Sequence, residues 1–217
     1  MMQDLTSVAQ RLSQALVDHG ERFSRATDKC MPFERPTPQK AEAQGIALRY
    51  ASVALPVFVK DGAWHIALMK RTEYPGVHSG QISIPGGEVE AHDADRLATA
   101  LREFEEEMGV DLSQAPIVQG LSERFIPPSR FVVTPFVALL EGEPEWEVDP
   151  AEVARVLTLP VSALLDDRSM QSVPIEIKRG VRVELPAYQW DGEVIWGATA
   201  IMLTEFAMAW SHAMEEG

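Results

Sequence analysis

The segment running from Pro85-Gly86-Gly87 to Arg102-Glu103-Phe104-Glu105-Glu106-Glu107-Met108-Gly109-Val110 constrains this 217-residue chain more than any other. The alternating Gln81-Ile82-Ser83-Ile84, the two glycines and a 3.6-residue periodicity behind them predict a short strand, a tight turn and a helix from about residue 94 to Gly109. Asp93 reads as its N-cap and Gly109 as a left-handed C-cap. Helical residues three and four apart are surface neighbours, so Glu103, Glu106 and Glu107 converge. Leu97, Leu101, Phe104 and Met108 fall on another face and can bury. Like charges at this spacing cost roughly 0.2–0.5 kcal/mol per pair, and a cation bound among them reverses the sign. Two readings follow: a solvated acidic face, or a divalent-cation site suited to phosphate-ester chemistry. The glycine turn, the terminal Gly109 and Arg102, placed to orient a carboxylate by a charge-assisted hydrogen bond, favour the second.

These residues resemble the Nudix box, G-x5-E-x7-R-E-U-x-E-E-x-G-U, where U is a bulky apolar residue. The second half matches throughout, at Arg102, Glu103, Phe104, Glu106, Glu107, Gly109 and Val110. In the first half Asp93 stands in place of Glu, and eight residues rather than seven separate it from Arg102. That insertion is similar to the coenzyme A pyrophosphatase branch of the family. Leu68-Met69-Lys70-Arg71-Thr72 and Gly80-Gln81-Ile82-Ser83-Ile84-Pro85-Gly86-Gly87 resemble the branch signature L-L-T-x-R-[SA]-x3-R-x3-G-x3-F-P-G-G. His78 and Gln81 also look like members of that branch, whereas Lys70, Gly76 and Ile84 replace its Thr, second Arg and Phe. Residues 134–137 and 195–200 supply further landmarks, so the resemblance covers roughly residues 47–203.

The resemblance implies an α/β fold, a Nudix-type α/β/α sandwich with a mixed sheet, over residues 47–217. Residues 1–46 would form an N-terminal helical extension and a Pro-containing connection. It also implies hydrolysis of the diphosphate bond in a nucleoside diphosphate derivative, with Mg²⁺ or Mn²⁺ as cofactor. The branch points to coenzyme A or a derivative, split into 3′,5′-ADP and 4′-phosphopantetheine. ADP-ribose or another nucleoside-diphosphate-X is the alternative substrate, and a non-catalytic nucleotide sensor is the alternative of another class. Glu103, Glu106 and Glu107 would hold the metal together with the carbonyl of Gly86, where glycine lets the main chain approach an ion. Glu103, Glu106 and Arg102 are expected to serve catalysis. The general base would be a box Glu or an acid on a distant loop: Glu152, Glu145 and Glu147 are candidates and Glu123 and Asp93 further ones, each with plain loop solubility as the alternative. Arg71, Arg124, Arg130 and His78 are expected to contact substrate, each with an ordinary surface role as the alternative. Tyr188, Trp190 and Trp196 either stack on a base or pack in the core.

The rest of the chain narrows the classes. A net charge of −14 argues against nucleic-acid or anionic-membrane partners, whose binding depends on Lys and Arg neutralising phosphates. Local cations and a bound metal must then attract an anionic substrate. No apolar run approaches the ~20 residues of a membrane span, and residues 1–20 lack a secretory apolar core. A single Cys30 permits no internal disulfide and fits a reducing cytoplasm. A homodimer would be compatible with catalysis. Expected elements are an amphipathic helix over residues 5–19 and strands over 47–60 and 64–70 joined at Asp61-Gly62. Further strands are expected over 117–125, 131–140 and 153–159, and a hairpin about Arg179-Gly180. Short and closing helices over 161–165 and 199–212 complete the reading.

Overall fold

The computed structural model describes residues 4–27, 36–76, 78–166, 168–178 and 180–215. Among them the helices are α1 (Leu5–Thr27), α2 (Pro38–Ala43), α3 (Arg96–Met108), α4 (Val161–Leu165) and α5 (Gly197–Glu215). The strands are β1 (Arg49–Lys60), β2 (Ala63–Arg71), β3 (Ile82–Ser83), β4 (Gly86–Glu88), β5 (Ile117–Val118) and β6 (Arg124–Ile126). They continue with β7 (Phe131–Leu140), β8 (Val153–Pro160), β9 (Met170–Lys178), β10 (Val181–Trp190) and β11 (Glu193–Ile195). Cys30, Arg179 and much of the Pro-containing connection lie outside the described residues.

β1 organises the molecule. It pairs antiparallel with β2 and β4 and parallel with β7, so the main sheet is mixed. Residues 51–58 are buried without interruption, the pattern of a strand covered on both faces. Val53, Leu55 and Val57 share a core with Val8, Leu12 and Leu16 of α1 and Leu203, Phe206 and Trp210 of α5. Ala54 belongs to a second core, with Ala100, Phe104 and Met108 of α3 and Phe136 and Ala138 of β7. Alternate side chains of one strand thus face helices on opposite sides, which produces the expected α/β/α sandwich. The β1–β2 turn places Asp61 at φ 51° and Gly62 at φ 76°, the two left-handed residues that a tight hairpin requires. β9, β10 and β11 form a separate antiparallel sheet.

Three elements depart from the sequence expectation. α1 does not stop before Gly20; it continues to Thr27 because Phe23 and Thr27 find buried places. Phe23 meets the His212 ring of α5 at 6.0 Å, which ties that extra length to the closing helix. The strand expected over residues 117–125 is two short strands, both paired with β7. α3 starts at Arg96, and its N-cap is Asp95 rather than Asp93: the Asp95 carboxylate accepts the Ala98 amide at 2.8 Å. Gly109 ends α3 in the left-handed conformation as expected, at φ 69°.

Candidate active site

A cleft of about 810 Å³ opens where β1, β4 and α3 meet the ends of β2 and β7 and the start of α5. Its floor is set by β4. Val53 of β1 pairs with Gly86, but the Gly86 amide donates instead to Glu107 Oε2 at 2.7 Å. Gly86 sits at φ 144°, where a Cβ would lie 2.2 Å from the Ser52 carbonyl oxygen. A Cβ on Gly87 would lie 2.2 Å from the Glu103 carboxylate. The two glycines therefore let β4 lie against β1 on one side and the acids of α3 on the other.

Glu107 is 2% exposed, and its Oε1 is buried without a hydrogen-bond partner. Burial pushes its carboxyl up to about 8; Arg71 and the Gly86 amide act in the opposite direction. Burial likewise raises Glu103, against the pull of Arg102. Arg71, at the end of β2, places Nη1 3.8 Å from Glu107 Oε1 and Nη2 3.8 Å from Glu152 Oε2. Glu152 comes from the loop before β8, pinned to the end of β2 by the Thr72 amide donating to its carbonyl at 2.9 Å. Glu103, Glu107, Glu152, Arg71, His78, Arg130 and Gly86 all line this one cleft. His78 lies 3.1 Å from Gln81 Oε1 through Nδ1 and adopts φ 68°.

Behind the floor lies a charged brace. Arg102 donates Nε and Nη2 to the two oxygens of Asp93 at 2.9 and 3.0 Å. Its Nη1 reaches Glu103 Oε1 at 2.9 Å and Glu106 Oε2 at 3.0 Å, and Nη2 also reaches the Glu88 carbonyl at 3.2 Å. The Arg102 guanidinium holds the Asp93 carboxyl well below the usual carboxylate range. Asp93 is thereby committed to Arg102 and is not available as a general base. Arg102 does not line the cleft; it orients Glu103 and Glu106, so the expectation of a direct catalytic role becomes a positioning role. Glu106 also lies off the cleft lining, with its side chain 59% exposed.

Arg124 corrects the sequence reading. It is absent from the cleft and donates Nη2 to Glu205 Oε2 at 2.6 Å and to Thr27 Oγ1 at 3.0 Å. Glu205 is fully buried on α5 and also accepts the Ser122 hydroxyl at 2.7 Å. Arg124 thus fastens β6 to α1 and α5. Among the other base candidates, Glu123 accepts the Thr134 hydroxyl at 2.8 Å, and Glu145 and Glu147 lie off the lining. Tyr188 and Trp190 are held by Thr204 and the Thr158 carbonyl, leaving Trp196 as the aromatic of the three on the cleft wall. Arg49 and Glu88, which the sequence did not single out, line the cleft and are paired with each other. Only the position of Glu88 directly after Gly-Gly could have flagged it.

The donor set suits a hard divalent cation. Such ions take oxygen ligands, and the Glu107 Oε1 that accepts no hydrogen bond and the side-chain-free approach at Gly87 leave an oxygen and space for one. Among the described residues, no three acidic or histidine side chains are gathered as a ready-made cage. The reason is visible: Arg102 holds Glu103 and Glu106, and Glu107 turns one oxygen to Gly86. The Gly86 amide, meanwhile, is taken up by Glu107.

A profile of the NUDIX domain matches residues 48–177. The chain is 31% identical over 159 residues to an uncharacterized Nudix hydrolase, NudL, of Photorhabdus laumondii, spanning 73% of this chain and 83% of that protein. It is 33% identical over 165 residues to the chloroplastic Nudix hydrolase 22 of Arabidopsis thaliana, spanning 68% of this chain and 50% of that longer one. The fold is similar to that of a MutT/nudix family protein from Enterococcus faecalis, with a TM-score of 0.53 and 18% identity over 73% of this chain and 60% of that one. No helix among the described residues is long and apolar enough to cross a membrane. With the profile covering more than half of the chain and the acid-rich helix seated behind its glycine turn, this protein belongs to the Nudix family and is a Nudix hydrolase.

Proposed function

We propose that this enzyme hydrolyses the diphosphate bond of a nucleoside diphosphate derivative, with coenzyme A or a derivative as substrate and Mg²⁺ or Mn²⁺ as cofactor. The observation that carries the reading is the floor of the cleft, where Glu103 and the buried, half-satisfied Glu107 stand across from Gly86-Gly87. A bound divalent cation there would neutralise nonbridging phosphate oxygens and make a bound water acidic. Glu103 and Glu107 would hold it, with Glu106 and the Gly86 carbonyl completing the set. Arg102 keeps the Glu103 carboxylate aimed past Gly87. Arg71 stands between Glu107 and Glu152 and would turn to the substrate phosphates. Glu152, half-exposed on the opposite rim, is the carboxylate free to take a proton from the attacking water. His78 would contact the nucleotide from the same wall, and Arg130 a phosphate that it carries.

The coenzyme A assignment rests on the pattern around Arg71, His78, Gln81 and Asp93 and on the extra residue before Arg102. A panel of coenzyme A, ADP-ribose, NADH and dinucleoside polyphosphates with either metal tests it by product mass. The expected result is 3′,5′-ADP and 4′-phosphopantetheine from coenzyme A. Cleavage of ADP-ribose without coenzyme A turnover would overturn the substrate while leaving the diphosphate chemistry. Tight nucleotide binding with no product under either metal would replace the enzyme by a sensor.

A further inference from the structure

We propose that Arg49 and Arg130 form a second anion subsite on the cleft rim, which receives a phosphomonoester that the substrate carries away from its diphosphate. The proposal rests on the nucleoside-diphosphate reading above and adds a feature that the substrate must present. It starts from the arginines of the cleft that stand apart from the acids of its floor. Arg71 lies between Glu107 and Glu152, Arg102 is saturated by Asp93, Glu103 and Glu106, and Arg124 is buried against Glu205. Among the described residues, the other arginines lining the cleft are Arg49 and Arg130.

These two are held side by side. The Arg49 amide donates to the Arg130 carbonyl at 2.9 Å, joining the start of β1 to the turn between β6 and β7. The Arg49 guanidinium lies over the Phe131 ring, 4.2 Å from its centroid, and forks onto Glu88 through Nε, at 2.9 Å, and Nη2. A stacked and forked guanidinium is fixed in plane and presents its remaining edge in one direction. Arg130 is exposed, and its side chain makes no ion pair or hydrogen bond among the described residues. Its backbone sits at φ 61°, closing a turn in which its amide donates to the Ile126 carbonyl at 2.8 Å. Glycine or asparagine adopts that conformation more readily, so a strained arginine there points to a use for its side chain. Two guanidinia on one rim suit a phosphate dianion, which accepts several N–H donors at once. Glu88 then acts as a resident counter-ion: it orients Arg49 when the subsite is empty and opposes any weaker anion.

The test compares coenzyme A with its 3′-dephospho form, which differ only in the remote phosphomonoester. The wild type is expected to show the lower KM for coenzyme A. Arg130→Gly, which relieves the backbone and so preserves the turn, should raise that KM about tenfold, the scale of one charge-assisted hydrogen bond. The KM for the dephospho form should move less than about twofold, within the usual effect of an exposed substitution. Glu88→Gln should lower the KM for coenzyme A by freeing Arg49. Equal shifts for both substrates, or a wild type indifferent to the phosphate, would overturn the subsite. If neither form is cleaved, the substrate assignment fails and calorimetry still decides the subsite. Tighter binding of adenosine 3′,5′-bisphosphate than of adenosine 5′-monophosphate, lost in Arg130→Gly, supports it; equal affinities overturn it.

Discussion

Removing the Arg124 guanidinium should unfold this protein more easily without weakening substrate binding. Its partner Glu205 is fully buried on α5, and the pair spans 2.6 Å. Arg124→Met leaves that carboxylate with the Ser122 hydroxyl and amide as its remaining donors. Breaking one side of a buried ion pair costs about 3–5 kcal/mol, since the surviving charge stays desolvated. For a chain of this size about 1 kcal/mol shifts Tm by roughly 2–4 °C, so the variant should melt about 6–20 °C below wild type. The double variant Arg124→Met/Glu205→Leu removes both charges and should recover much of that loss. The assay is thermal unfolding followed by circular dichroism, with KM measured at a temperature where both single and parent proteins are folded. A Tm within about 2 °C of wild type, or a KM raised by more than tenfold with Tm unchanged, would refute the buried-brace role and return Arg124 to the substrate.

Other consequences are equally open to measurement. Glu107 has its carboxyl raised from 4.5 to about 8 by burial, so between those values the unfolded chain releases a proton that the folded chain keeps. Metal-free stability should therefore fall as pH rises from about 4.5 to 8, by an amount of order 5 kcal/mol at 1.36 kcal/mol per unit. Metal-free Glu107→Gln should lack that fall and be the more stable protein at pH 8.5, as urea titrations at several pH values would reveal. If the two proteins keep parallel stability curves from pH 5 to 8.5, Glu107 is not buried as a costly acid. Gly87→Ala should place a methyl group 2.2 Å from the flexible end of Glu103, displacing that carboxylate with little cost to the fold. Turnover is expected to drop on the order of a hundredfold with Tm nearly unchanged, and unimpaired kcat/KM would contradict the Glu103 geometry.

The local elements were legible where short-range chemistry decides them. Asp61-Gly62 can close only a tight hairpin, and Phe104 and Met108 can bury only if residues 103, 106 and 107 face the other way. Where two similar residues compete, long-range contacts decide. Asp93 has the chemistry of an N-cap, but Arg102, nine residues on, claims it and leaves the cap to Asp95. Gly20 looks like a helix end until Phe23 finds a place against α5. At the site, Glu103 and Glu107 were legible because they lie on one helix, and Arg71 because it belongs to a recognisable run. Glu152 reaches them only through the pairing of β2 with β8. Arg124 resists a sequence reading because its partner Glu205 lies 81 residues away on a largely apolar helix, and no local pattern announces a buried acid. Arg49 and Glu88 meet only because β4 turns back along β1.

The proposed metal site at the cleft floor is tested most directly by titrating Mn²⁺ into wild type and Glu107→Gln under electron paramagnetic resonance, with diphosphate turnover read on the same samples. Wild type should bind the ion and hydrolyse substrate only in its presence. Glu107→Gln, which keeps the size of the side chain but not its charge, should lose nearly all turnover and bind Mn²⁺ at least tenfold more weakly, about the cost of one lost charged ligand. A Glu107→Gln protein that binds Mn²⁺ normally and turns over at the wild-type rate would contradict the assignment of this buried carboxylate to the hydrolytic centre.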